Sequence, residues 1–186
     1  MQTSIRHLVY VLAIMLGPNA WIPTASAQYD DPETLVIEKA EGKALVSYTV
    51  EELKRAFPTH ERDTPTPWMP RDQTIGFRGP YLNDLLKKYL PGETSVEIIA
   101  YNGFSSILMR DEIEKYNPIL AIERRCDDQD RKRGLCSAEQ IYRPLQLDDG
   151  GPLFLVWPLD ELPASYIPAR NAIWVWFVVA VRSNDE

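Results

Sequence analysis

Nucleophiles and soft metal ligands are scarce in this chain, which has two cysteines and two histidines. His7 sits at the start of an apolar N-terminal segment, so His60 is the imidazole left for chemistry in the rest of the chain. Zinc sites built from several histidines are thereby excluded, and a Ser-His-Asp or Cys-His arrangement would have to be organised around His60. His60 falls in Pro58-Thr59-His60-Glu61-Arg62-Asp63, a polar stretch that reads as an exposed loop without a catalytic role. Cys126 and Cys136 enclose the charged segment Asp127 to Leu135. An even cysteine count in an exported chain points to a disulfide closing that loop, with a pair of free thiols as the alternative. Asp148-Asp149 and Asp160-Glu161 are carboxylate pairs of the type glycosidases use, but adjacent carboxylates on a loop splay apart, so both read as turn residues. Arg124, Arg125 and Arg143 flank the cysteine loop and could receive an anion; among so many acids they read as solvated salt-bridge partners.

Residues 1–27 read as a signal peptide: Arg6 and His7 open a basic n-region, Leu8 to Leu16 is apolar, and Ala25-Ser26-Ala27 is a small-residue cleavage site. The expected mature chain, residues 28–186, has the size of one domain. The leader has a lone Arg6 and no Arg-Arg pair, which points to the general secretion route and a periplasmic or secreted protein. The whole chain carries a net charge of −7, and removing one arginine with the leader makes the mature chain more acidic still. That balance disfavours nucleic acid or anionic lipid as a main partner. A hydrophobic fraction of 45% excludes a disordered chain. The apolar run Ala172 to Val181 falls well short of the roughly 20 residues a membrane span takes.

The elements that must position these residues can be read from spacing. Leu35-Val36-Ile37 and Ala44 to Tyr48 are β-type runs. Thr49 and Glu52 form a capping box, with Tyr48 stapling onto Leu53, for a helix whose face is Val50, Leu53 and Phe57. From Pro58 to Pro70 the prolines predict an ordered, irregular loop that is neither strand nor helix. Thr74 to Phe77 is extended, and Leu82, Leu85, Leu86 and Tyr89 mark a second helix after Gly79-Pro80. Val96 to Tyr101 and Phe104 to Met109 flank Asn102-Gly103 as a hairpin, with Asn102 supplying positive φ in the turn. A short helix is expected from Asp111 to near Tyr116, then an apolar run Ile119 to Ile122. Asp149-Gly150-Gly151-Pro152 turns into a buried strand, Leu153 to Trp157, and Ala172 to Val181 reads as a strand covered on both faces. The sum is an α+β chain dominated by strands, with three short helices.

In this order the elements resemble the small secreted version of the sulfite-oxidase-type molybdopterin-binding family. The resemblance rests on Tyr48 to Leu53, Thr66-Pro67-Trp68, Phe77 to Leu86, Ala100 to Phe104, Leu120-Ala121, Asp149 to Leu153 and the tryptophan-rich last strand. The charged insertion Arg125 to Gln140 departs from it. The resemblance implies mixed β-sheets with short helices. It also implies a pocket where the proline-rich loop folds over the hairpin tip, bringing together Thr66, Trp68, Tyr101, Asn102 and Phe104, with Arg124 nearby. In catalytic members a cysteine thiolate on that loop binds molybdenum, and basic residues follow it. Here Thr66 takes the ligand position, followed by Pro67 and Trp68. A neutral hydroxyl is a poor substitute for a soft thiolate. The expectation is therefore a non-catalytic binding or partner protein of the envelope without cofactor or metal, serving a small ligand, a membrane sensor or a redox system. The alternative is a molybdopterin-dependent oxidoreductase with an atypical metal site. Trp68 either fills the space of the cofactor or lines an open pocket.

Overall fold

A computed structural model describes residues 29–185. The expected signal peptide and its cleavage site lie outside the described residues. In chain order the elements begin with β1 (Thr34–Ala40), β2 (Lys43–Thr49), α1 (Val50–Ala56), β3 (His60–Thr64), β4 (Ile75–Gly79) and α2 (Leu82–Tyr89). There follow β5 (Ser95–Ala100), β6 (Ser105–Met109), α3 (Arg110–Tyr116), β7 (Ile119–Ala121), β8 (Glu123–Arg125) and α4 (Asp128–Lys132). The last are β9 (Tyr142–Pro144), β10 (Phe154–Val156) and β11 (Val178–Ser183). A five-stranded sheet has the order β2-β1-β11-β5-β6, a four-stranded sheet the order β3-β4-β8-β9, and β10 pairs with β7. β11 runs parallel to β1 and antiparallel to β5. The architecture is thus α+β, as expected.

Local signals account for much of this. The Thr49 side chain accepts from the Glu52 amide at 3.3 Å while Glu52 accepts from the Thr49 amide at 2.9 Å, completing the capping box of α1. Leu82, Leu85 and Leu86 bury the inner face of α2 completely. Trp157 is wholly buried and donates its indole N–H to the Ile173 carbonyl at 2.8 Å. The β5–β6 turn closes through Gly103 N–H to Ala100 O at 3.0 Å.

Four expectations are corrected. The stretch from Pro58 to Pro70 contains a strand, because its prolines bracket His60 to Thr64 without interrupting it, and β4 supplies a full antiparallel register from His60↔Gly79 to Thr64↔Ile75. His60 is therefore a strand residue whose ring stacks on Tyr81 at 3.8 Å. Of Ala172 to Val181, only Val178 to Val181 are strand, as the first part of β11. Asn171–Ile173 is a 3-10 turn, and Phe177, at φ 57°, breaks the extended run before β11. In the hairpin the positive φ of 82° falls on Gly103, while Asn102 accepts the Phe104 N–H at 3.1 Å. A fourth α-helix, α4, lies inside the charged cysteine loop, where Asp127 caps it by accepting from the Asp130 amide at 2.8 Å.

Candidate functional site

The proline-rich loop is held at its base by Thr64. Its buried hydroxyl accepts the Leu159 N–H at 3.0 Å and donates to the Pro65 carbonyl at the same distance. A turn closed by Met69 N–H to Thr66 O at 3.3 Å then carries Trp68. On the other side, Tyr101 N–H donates to Phe177 O and Phe177 N–H to Gly150 O, each at 2.8 Å. These bonds tie the hairpin tip and the Gly-Gly-Pro turn to the segment between the last 3-10 turn and β11.

Between them lies a cleft of about 320 Å³ lined by Trp68, Asn102, Phe104, Trp174, Trp176 and Phe177. Trp68 meets Trp176 edge to face, with centroids 5.0 Å apart and planes at 77°, and meets Trp174 at 6.4 Å and 79°. Trp174 is 4% exposed, whereas Trp68 keeps 53% and Trp176 39% of its surface in solvent. Trp68 therefore lines the space and does not fill it. A second, smaller pocket of about 140 Å³ contains Thr66, Arg124, Asp148 and Asp149 and shares Trp176 as a wall with the first.

The expected site is thus divided. Trp68, Asn102 and Phe104 come together in the aromatic cleft, while Thr66 and Arg124 face the adjoining pocket. Tyr101 lies outside both linings, with half its surface exposed. Trp174, Trp176 and Phe177 were hidden from the sequence reading because their aromatic run was absorbed into a buried strand. No local signal separates them, because β-branched Val175 lies among the aromatics as Val178-Val179 follow them, and the boundary is set by the backbone bonds of Phe177 to Tyr101 and Gly150.

Behind the smaller pocket is a buried ionic cluster. Arg143, read from sequence as solvated, is only 4% exposed. It donates to the two Asp149 oxygens at 2.6 and 3.1 Å and pairs with Asp130 at 2.8 Å. Arg124 bonds Asp149 at 3.0 Å, Asp130 at 3.2 Å and also Asp127. Burial pushes the Asp149 carboxyl up, but hydrogen bonds from Arg143 and the Gln146 amide outweigh it and leave the group below its ordinary value. Asp130 is likewise lowered: burial opposes ionisation, and Arg143 with the Asp127 amide overcomes it. Burial disfavours the Arg143 charge, yet Asp149 and Asp130 raise its pKa. Both arginines are thus engaged by the chain's own carboxylates.

Cys126 and Cys136 are joined by a disulfide, and both are buried. The bond closes the loop that contains α4, and so holds Asp127 and Asp130 against the arginines. Among the described residues no three His, Cys, Asp or Glu side chains form a group that could hold a metal ion, and no helix is long and apolar enough to cross a membrane. No protein-family model and no curated protein matches the chain.

Proposed function

We propose that this chain is a non-catalytic, exported ligand-binding protein on a sulfite-oxidase-type molybdopterin-binding fold, with the aromatic cleft as its site. The observation that carries the reading is the pair of half-exposed tryptophans, Trp68 and Trp176, brought from distant segments to line one concavity. Large aromatics around a few polar groups are the usual make-up of a small-molecule site. The disulfide and the leader support an oxidising destination outside the cytoplasm.

The residues present do not fit molybdenum. Thr66 offers a hydroxyl where a thiolate would be needed, both cysteines are consumed in the disulfide, and carboxylates occupy Arg124 and Arg143. A terminal phosphate entering the smaller pocket would meet Asp148 and Asp149. Two measurements on protein expressed with its native leader test the proposal. Metal analysis and oxidised-pterin fluorescence should find neither molybdenum nor pterin. The neutral dye N-phenyl-1-naphthylamine should bind saturably, with its fluorescence rise lost in Trp68→Ala. Near-stoichiometric molybdenum would favour the oxidoreductase reading, and absence of Trp68-dependent dye binding would remove the cleft.

A further inference from the structure

We infer that the aromatic cleft takes a small quaternary ammonium ion of the choline type, an inference that rests on the cleft being the binding site. The first ground is ring orientation. Trp68 stands at 77° to Trp176 and 79° to Trp174, and Trp176 at 87° to Phe177. A planar nucleobase stacks on one broad face or between parallel faces, and a pyranose chair lays its apolar C–H face on one broad ring. Walls at right angles instead suit a compact, roughly spherical group that touches several rings at once, as a trimethylammonium head does.

The second ground is charge. No basic side chain lines the cleft. In the cluster next door Arg124 and Arg143 face Asp127, Asp130 and Asp149, and Asp148 adds a further acid at the smaller pocket, so the local balance is negative. The electrostatic surroundings therefore favour a cation and penalise an anionic aromatic ligand.

The third ground is what the protein's own cations do. Arg78 and Arg125 sit over Tyr142, Lys88 over Phe57 and Tyr89, Lys115 over Tyr116, and Arg170 over Tyr166. Among the described residues none of these contacts falls on Trp68, Trp174 or Trp176. Tryptophan has the strongest affinity for cations among the aromatic residues. The cleft therefore gathers these rings, packed edge to face on one another, and among the described residues no cationic side chain sits over them. Asn102 at the rim, its amide oxygen turned back to the Phe104 N–H, leaves its NH₂ available to a ligand hydroxyl.

The test is a titration of the mature protein with choline, followed by tryptophan fluorescence and by displacement of N-phenyl-1-naphthylamine. The comparison compound is 3,3-dimethylbutan-1-ol, which replaces the charged nitrogen by carbon at the same shape. Choline should bind saturably, the neutral isostere roughly five- to thirtyfold more weakly, and Trp68→Ala should abolish both. Equal affinities would overturn the cation assignment while leaving the cleft as a site. So would binding of methyl glucoside without choline. Co-sedimentation with phosphatidylcholine vesicles without binding of free choline would overturn it in favour of a lipid headgroup. Dye binding that choline does not displace would defeat this inference alone; failure of the dye itself to bind would defeat the cleft as well.

Discussion

Trp68 and Trp174 touch edge to face, yet the chain uses them differently. Trp174 is 4% exposed and packs against Phe154 at 6.1 Å as well as Trp68, so its ring belongs to the core. Trp68 has 53% of its surface in solvent and packs against Trp174 and Trp176 with the remainder. Truncating the first should leave a cavity that its neighbours cannot close, costing about 3–5 kcal/mol. Truncating the second should cost less, about 2 kcal/mol, since roughly half of its surface is already in solvent. Urea midpoints of Trp174→Ala and Trp68→Ala measure both. Equal losses would mean that Trp68 is a structural plug after all. The same residue scale shows what was legible in sequence and what was not. Trp68, Asn102 and Phe104 could be placed together because each sits in a loop or turn with a strong local signal. Arg143 could not, because nothing in Tyr142-Arg143-Pro144 announces that Asp130 and Asp149 will bury it.

At the scale of elements, glycines in two of the motifs are explained by close approach of backbone. A Cβ on Gly79, at the end of β4, would lie 2.0 Å from the Leu120 carbonyl oxygen in β7. A Cβ on Gly151 would lie 2.4 Å from the Leu145 Cβ. At the first position the obstacle is backbone, bonded into place by Leu120 N–H to Pro80 O at 2.8 Å, so neither side can yield cheaply. Gly79→Ala is expected to cost about 4 kcal/mol or more, at the far end of single-site effects, or to prevent folding. A circular-dichroism melt of the variant within a few degrees of wild type would refute the close packing of β4 on β7. The capped helix α1, the helix α2 and the β5–β6 hairpin were all readable, since their signals are local spacing, caps and turn residues. β3 was not, because His60-Glu61-Arg62-Asp63-Thr64 has no hydrophobic alternation and owes its extended form to pairing with β4. The same holds for the last aromatic run, whose division between a 3-10 turn and β11 is decided by the bonds from Phe177 to Gly150 and Tyr101.

For the whole molecule the acidic balance carries a consequence for stability. Several carboxylates hold their charge inside the structure through a basic partner. Arg143 and Arg124 flank Asp130 and Asp149. Glu112 joins α3 to the segment before the last 3-10 turn by accepting from Tyr166 at 2.6 Å and from Arg170 at 2.9 Å. In all three carboxyls burial raises the pKa, and the arginine bonds, with Tyr166 at Glu112, more than reverse it, leaving the group below its ordinary value of 3.8 for Asp or 4.5 for Glu. A carboxyl whose folded value is lower takes up its proton more readily in the unfolded chain, so falling pH draws the equilibrium toward unfolding. The stabilisation should be fully present above the ordinary carboxylate range and should fade as pH drops through about 4 toward the lowered folded values. Urea titrations should therefore show a stability that these groups leave level from about pH 7 to about pH 5 and that falls from there toward about pH 3. The variant Arg143→Met identifies the source, since it leaves Asp130 and Asp149 with Arg124 as their shared partner. It should lose about 3–5 kcal/mol near neutral pH, the cost of breaking a buried pair. It should also lose less on acidification than wild type, because protonation then relieves two buried charges that are no longer fully compensated. A wild-type stability that stays flat down to about pH 3, or a variant whose decline on acidification matches wild type, would show that the buried cluster does not govern acid sensitivity.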